Sequence, residues 1–473
     1  MARPQNEGQN LAAAIAVFVA NPPALSADTL DRAKKVVVDT LSANIAGASS
    51  DVLPVLSKYM GTQLAGGYRV LGTPLRTSAE NAALANGTMS AALEYDDVLS
   101  IMPGHPSAVV MAALCACDEA LASSGGAIIE AYAVGIQAGA RIAQAMTLEH
   151  YTRGFHATGT IAMFSAVAAL ARISGLSESM TQTAMGVAAS FSGGLQGNFG
   201  TMTKPLHSGW AARNALAAVA LARAGLTASN RIFETEGGYF DAYGSSDSSL
   251  ALVEKTLADP WIFDEPGVTL KFFPCCYATH RGIDATLEMR KELNIAAQDV
   301  ERVTCLVPPG GLIPLKFARP TTHFQSLFSM PYALAVTLLD GHPGLTSFAQ
   351  SRVQAPDVAA MLQRIDVSES EFCVADHPNF ASMSYGSRGE VRVEIRTRDG
   401  RTAKRTVVIA PGHPDRTLTW EQSRAKFLDC ASVAGFDDNK AAGLFTRLAA
   451  LETEASFGDL VAQFTPSHQG ATA

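Results

Sequence analysis

The sequence predicts a mostly α protein: a large all-helical domain built from both chain ends, plus a smaller α+β lid domain. Three observations carry this. Apolar residues make up 48% of the 473 residues but aromatics only 7%, and the alanine that fills the difference suits closely packed helices. Apolar positions recur at helical spacing through the first half of the chain and again near its end, with period-2 alternation in between. A chain of this length exceeds what one hydrophobic core normally serves.

LDRAKKVVVDTLSANIAG, Leu30 to Gly47, reads as an amphipathic helix stopped by glycine. SAENAALANGTMSAALEY begins near Ser78 and is almost entirely small or apolar, so it predicts a helix buried on most faces. The stretches 125–147, 157–173, 178–190 and 207–225 continue the pattern. The character changes near Pro260. A helix is expected from His280 to Leu293, a strand over Val300 to Pro309 and a helix from about Gln325 to Leu339. Val391, Val393 and Ile395 alternate before a hairpin turn at Asp399-Gly400. Helical spacing returns from Trp420. The expected division is 1–265 for the helical domain, 266–414 for the lid, and 415–473 returning to the helical domain.

The formal charge of −8 and the lack of any basic run argue against a nucleic-acid partner. An acidic protein that binds an acidic ligand must make its site locally positive, so clustered His, Lys and Arg gain weight. The seven cysteines are odd in number and irregularly spaced, which reads as a reduced, cytoplasmic protein without a metal site. No signal peptide is apparent. The longest uncharged stretch, Ala157 to Ala171, is too short for a membrane span.

Four histidines, His105, His156, His207 and His280, stand just before small-residue apolar helical stretches. A helix N-terminus carries unpaired N–H groups and partial positive charge, which favour an anion. The repeated placement predicts helix ends converging on one site. Glu94-Tyr95-Asp96-Asp97 closes the buried helix, where negative charge opposes the macrodipole. A carboxylate there, at Asp96 for instance, is suited to orient His105 or share its proton. Lys204 follows a glycine-dense stretch without P-loop spacing, so it suits a carboxylate rather than a nucleotide. Arg153 beside His156 is a candidate bidentate carboxylate ligand. Lys271, Cys276 and His280 offer a second wall from across the domain boundary, where small-ligand clefts are common. No GxSxG, HExxH or dinucleotide fingerprint is present.

In order, LDRAKKVVVDTLSANIAG, ANGTMSAALEYDD with GHPSAVV, GFHATGTIAMFSAVAALARI, TKPLHSGWAARN and KFFPCCYATHRGIDA resemble the MmgE/PrpD family. That family includes 2-methylcitrate dehydratase, cis-aconitate decarboxylase and iminodisuccinate epimerase. The resemblance implies a homodimer, no metal or organic cofactor, and an active site between the two domains. Carried over, its site falls on the Glu94–Asp97 segment, His105, His156, Lys204 and the Lys271–His280 stretch. Two departures stand out. Glu94 and Val98 replace the Asp and Thr that many members carry at the ends of this acidic motif, and Cys276 stands where the animal decarboxylases have a histidine.

The chemistry shared by these activities is proton transfer at a carbon next to a carboxylate. The expected catalytic residues are His156 for proton transfer, Lys204 for carboxylate binding or proton delivery, and His105 with Asp96. Glu94, Asp97, Arg153, His207, Lys271, Cys276 and His280 are expected to bind a small di- or tricarboxylate. The favoured activity is a 2-methylcitrate- or citrate-like dehydratase. The alternatives are an imino-dicarboxylate epimerase, a cis-aconitate decarboxylase and, last, a non-enzymatic carboxylate-binding dimer.

Overall fold

The computed structural model describes residues 10–61, 66–245, 248–374, 383–384 and 386–466. Its helical part is built from the segments the periodicity marks. Ser26, Ser78, Ser124 and Ser177 each accept an N–H three residues on and so start the helices Ala27–Gly47, Ala79–Ala92, Gly125–Met146 and Glu178–Ala189. The helix Ala79–Ala92 buries nearly every side chain, as its composition predicts.

Ala79–Ala92 packs closely against the long helix Thr203–Arg223. Their backbones meet at two glycines. A Cβ on Gly87 would stand 2.7 Å from the Cα of Gly209, and one on Gly209 would stand 2.1 Å from the carbonyl oxygen of Leu84. This approach sets the distance between two residues just beyond it, Glu94 and Lys204.

One hydrophobic core joins both chain ends: Leu11, Val37 and Leu41 share it with Leu418, Phe427, Phe457 and Phe464. The C-terminal helix Trp420–Val433 lies on Ala27–Gly47. The chain is thus mostly α, and its four-stranded sheet lies in the later half.

That sheet runs in the order Ile365–Glu369, Val300–Val307, Val391–Thr397, Thr402–Val407. The first pair is parallel and needs the helical crossover between its strands, while the others are antiparallel. Gly400, with φ +87°, turns the expected hairpin. The helices His280–Leu293 and Met330–Asp340 pack on the sheet. A further cluster joins Val52, Leu56 and Met89 of the helical part to Phe273, Phe328 and Tyr332. The two parts therefore share apolar packing rather than merely touching.

Three expected boundaries move. The stretch from His156 onward breaks at Ile161 into Ala157–Thr160 and Ala162–Ile173. The helix expected over 325–339 becomes His323–Ser326 and Met330–Asp340, because Ser329 caps a new start by accepting from Tyr332 N–H. The long helix begins at Thr203, not at 207, since Pro205 is tolerated in a first turn. Among the described residues no helix is long and apolar enough to cross a membrane.

Candidate active site

The helix Ala79–Ala92 gives way at Leu93 to Glu94, whose φ is +51°. This left-handed position usually falls to glycine, and a non-glycine residue there costs about 1–3 kcal/mol. Two buried ammonium groups hold it. Lys204 Nζ donates to Glu94 Oε1, and Lys271 Nζ lies 2.9 Å from Oε2. Lys271 also donates to Asp96 Oδ1 at 3.1 Å. Two carboxylates and two ammonium groups are thus packed together out of water. Burial alone would raise the pKa of Glu94, but Lys204 and Lys271 hold it well below the usual carboxylate range. Asp96 is likewise opposed by burial and lowered, with His105 and Lys271 outweighing it. Burial lowers the affinity of Lys271 for its proton, yet Asp96 and Glu94 raise it above the ordinary lysine value.

Lys271 reaches this cluster because the short strand Thr269–Leu270 pairs antiparallel with Asp97–Val98. Lys426, from the C-terminal helix, braces the same place. Its Nζ lies 2.7 Å from Asp39 Oδ1 and 2.8 Å from the carbonyl oxygens of both Tyr95 and Lys271.

His105 stands at the N-cap position of the helix Pro106–Leu114, without a side-chain capping bond. Its Nδ1 lies 2.6 Å from the carbonyl oxygen of Asp97 and 3.6 Å from Asp96 Oδ2. A carbonyl only accepts, so Nδ1 carries the hydrogen and Nε2 keeps its lone pair. Burial, with Lys204 and Lys271 adding to it against Asp96, lowers its pKa to about 4. The ring is therefore a neutral base near pH 7.

His156 stands at the N-cap position of the short helix that follows it, and its ring centroid lies 6.1 Å from that of His105. Its Nδ1 is 2.8 Å from Nδ1 of His207, and its Nε2 is 3.0 Å from Thr158 Oγ1. That hydroxyl also accepts the main-chain N–H of His105 at 3.0 Å. Both ring nitrogens of His156 are engaged. Burial, then Lys204 and His207, push its pKa well down, and burial with Lys204 takes His207 to about 4.

Glu94, His105, His156, Lys204 and Cys276 line one cavity. Phe199 and Phe328 form its apolar wall, and Lys204 Nζ stands 6.0 and 5.6 Å from their ring centroids. A neutral base and an ammonium group thus face one space with a mostly apolar lining, which suits stabilisation of negative charge on a substrate carbon. Among the described residues no three His, Cys, Asp or Glu side chains are grouped to hold a metal ion.

Comparison with known families assigns the chain as a whole. The MmgE/PrpD N-terminal domain matches residues 13–250, and the MmgE/PrpD C-terminal domain matches residues 273–446. The chain belongs to the MmgE/PrpD family. It is 26% identical to the cis-aconitate decarboxylase of Homo sapiens over 415 residues, 85% of this chain and 83% of that protein. It is 27% identical to the cis-aconitate decarboxylase of Aspergillus terreus (strain NIH 2624 / FGSC A1156) over 410 residues, 81% of each. A cis-aconitate decarboxylase-like protein of Aspergillus oryzae is 25% identical over 468 residues, 93% of this chain and 94% of that protein.

In this MmgE/PrpD chain the residues singled out from sequence take three kinds of place. Glu94, His105, His156, Lys204 and Cys276 line the cavity. Asp96, Asp97, Lys271 and His207 stand behind them as hydrogen-bond or ion-pair partners; Asp97 accepts from Ser107 Oγ at 2.7 Å, and burial raises its pKa to about 8. Arg153 and His280 stand elsewhere. Arg153 is exposed and donates to the carbonyl oxygen of Gly244 at 2.6 Å. Gly154, with φ +95°, turns the chain between it and His156. His280 is sealed between Phe273 and Tyr277, with Nε2 3.3 Å from the carbonyl oxygen of Cys275. Sequence reasoning missed Phe199, Phe328 and the Lys426–Asp39 pair. The phenylalanines carry no chemical signature, and the pair joins residues too far apart in sequence to suggest each other.

Proposed function

We propose that this MmgE/PrpD lyase breaks a carbon–carboxyl or carbon–oxygen bond next to a carboxylate in a small di- or tricarboxylic acid. The observation that carries this is the convergence of His105 and the Lys204 ammonium on one cavity. Lys204 pairs with a substrate carboxylate or with the enolate-like charge that follows bond breaking. His105, with Nε2 unblocked by Asp97, moves the proton: in a dehydration Nε2 takes it from the carbon, and in a decarboxylation Nε2 first takes one from solvent and passes it to the carbanion left by CO2. His156, locked between His207 and Thr158, fixes the shape of the wall, and the same Thr158 hydroxyl holds the main chain at His105.

Decarboxylation is the first reading, because relatives that match more than four fifths of the chain are named cis-aconitate decarboxylases. Dehydration is the second, favoured by a histidine held as a base rather than as an acid. We place the domain division at 1–265 with 415–473 against 266–414, which puts the cavity between the two. A reduced, cytoplasmic setting accords with seven unpaired cysteines. We also take the protein as a homodimer. Exposed Trp210 and Tyr59, bridged by Arg213, supply a candidate face for the second copy. Light scattering on the purified protein tests that state.

The activity is tested by incubating the protein with cis-aconitate, citrate, 2-methylcitrate and iminodisuccinate and following each by NMR. Loss of CO2 or water from one of the first three supports a lyase on these acids. Racemisation of iminodisuccinate alone would move the activity to the epimerases.

A further inference from the structure

Three side chains form one hydrogen-bonded row that ends on His105. Nδ1 of His207 lies 2.8 Å from Nδ1 of His156, and Nε2 of His156 lies 3.0 Å from Thr158 Oγ1. That oxygen lies 3.0 Å from the main-chain nitrogen of His105. The direction of each hydrogen follows from this last, fixed end. A main-chain N–H only donates, so Thr158 Oγ1 accepts from His105. The hydroxyl then has one hydrogen to give, and among the described residues its acceptor is Nε2 of His156. Thr158 and His156 are both buried, so any other arrangement leaves that hydrogen unpaired out of water.

The rest of the row is then determined. Burial, then Lys204 and His207, keep His156 uncharged, so its ring carries one hydrogen. With a lone pair on Nε2, that hydrogen sits on Nδ1 and passes to the lone pair on Nδ1 of His207. His207 keeps its own hydrogen on Nε2. An unconstrained neutral imidazole in water prefers the opposite placement to the one His156 takes. His207 is held where it can accept. It lies in the helix Thr203–Arg223, with two glycines close to it. A Cβ on Gly159 would stand 3.3 Å from His207 Cβ, and one on Gly194 would stand 3.4 Å from His207 Nδ1. The carbonyl of Gly194 in turn accepts the main-chain N–H of His156 at 3.0 Å. At the far end the His105 ring is tied to the carbonyl oxygen of Asp97, so a shift of the row moves the ring that faces the cavity. A misplacement of about 1 Å at a reacting group can cost about 10²-fold in rate.

We propose that His207 is a positioning residue for His105: it fixes His156 as the Nδ1–H tautomer, which turns the Thr158 hydroxyl so that its oxygen holds His105 in place. The inference rests on the lyase reading above, in which His105 moves the proton.

The side-chain 15N spectrum of the full-length, histidine-labelled protein reads the tautomer, because a ring nitrogen with a hydrogen and one with a lone pair differ widely in shift. The His156 signals are those lost in His156→Gln. In the wild type near neutral pH they should show the hydrogen on Nδ1. His207→Leu removes the acceptor. It should move that hydrogen to Nε2 and lower kcat on the best acid of the panel by about 10–100-fold, with KM within a small factor. His207→Asn puts an amide oxygen where Nδ1 stood and should restore the tautomer and most of kcat. Thr158→Val should lose kcat as His207→Leu does, and Thr158→Ser should keep it, which tests the row a second time if the leucine variant fails to fold. A wild-type His156 with its hydrogen on Nε2 would overturn the inference and leave the lyase reading standing. So would normal kcat in His207→Leu, or equal losses in His207→Leu and His207→Asn. Turnover of none of the acids would count against the lyase reading and the role of His207 in it, and the tautomer of His156 would still decide the row.

Discussion

The Nδ1 of His105 lies 2.6 Å from the main-chain oxygen of Asp97. The bond requires Nδ1 to carry the hydrogen, and it leaves Nε2 as the basic atom toward the cavity. His105→Gln keeps hydrogen-bonding ability but cannot titrate. It should lower kcat by about 10²–10⁴-fold while leaving KM within a small factor. Steady-state kinetics on a confirmed substrate check this, and near-normal kcat would move proton transfer to His156 or Lys204.

The same ring should set the acid side of the pH profile. Burial holds His105 down to about 4, so the base is already neutral through the range where an ordinary histidine titrates. kcat/KM should stay level as pH falls through 6.5, the usual value, and decline only as it nears about 4. An acid limb at the ordinary histidine value would contradict the burial argument.

Asp97 shifts the other way, to about 8, through burial and then Asp96. Between the unfolded value near 4 and about 8 the native state holds a proton that the unfolded chain has lost. This group's contribution to stability therefore falls as pH rises across that window. Asp97→Asn removes the dependence. Urea midpoints should shift in favour of the variant between pH 5 and pH 8, and an unchanged gap would sink the assignment.

The two lysines should separate function from stability. Lys204→Met leaves Glu94 on Lys271, so the fold should survive while turnover drops by about 10²-fold or more. Lys271→Met strips both Glu94 and Asp96 of a fully buried partner. Removing such a partner costs about 3–5 kcal/mol, which calorimetry would read as a large fall in Tm. Equal destabilisation by the two substitutions would contradict this division.

Gly209→Ala tests whether helix packing sets the site. The new Cβ would sit 2.1 Å from Leu84 O, so the helices must part. Such overpacking costs about 1–3 kcal/mol. It should also lower kcat, because the same approach spaces Glu94 from Lys204. A destabilised variant with unchanged kcat would show that the two are independent.

Much of this was readable in the chain before its structure. Helical spacing located the long helices, and strict alternation located the hairpin at Gly400. His105 and His156 do stand at the N-cap positions of helices, though without side-chain capping bonds, and their rings do meet. His207 and His280 cap none. His207 lies inside the long helix, which starts earlier at Thr203, and His280 opens its helix with the ring sealed in aromatics. Arg153 shows the limit of adjacency, since the one glycine after it directs the chain away from it. The pairing of Glu94 with Lys204 and Lys271 spans more than a hundred residues, and nothing local announces it.

The central claim is that His105 moves a proton at a carbon beside a substrate carboxylate. It is tested most directly by running the reaction in D2O with the best acid of the panel and reading the product by NMR. Wild-type enzyme should place deuterium at the carbon next to the retained carboxylate, or exchange it there. His105→Gln, with its KM within a small factor of the wild type, should lose that signal by at least 10²-fold. Undiminished deuterium transfer by His105→Gln would contradict the account.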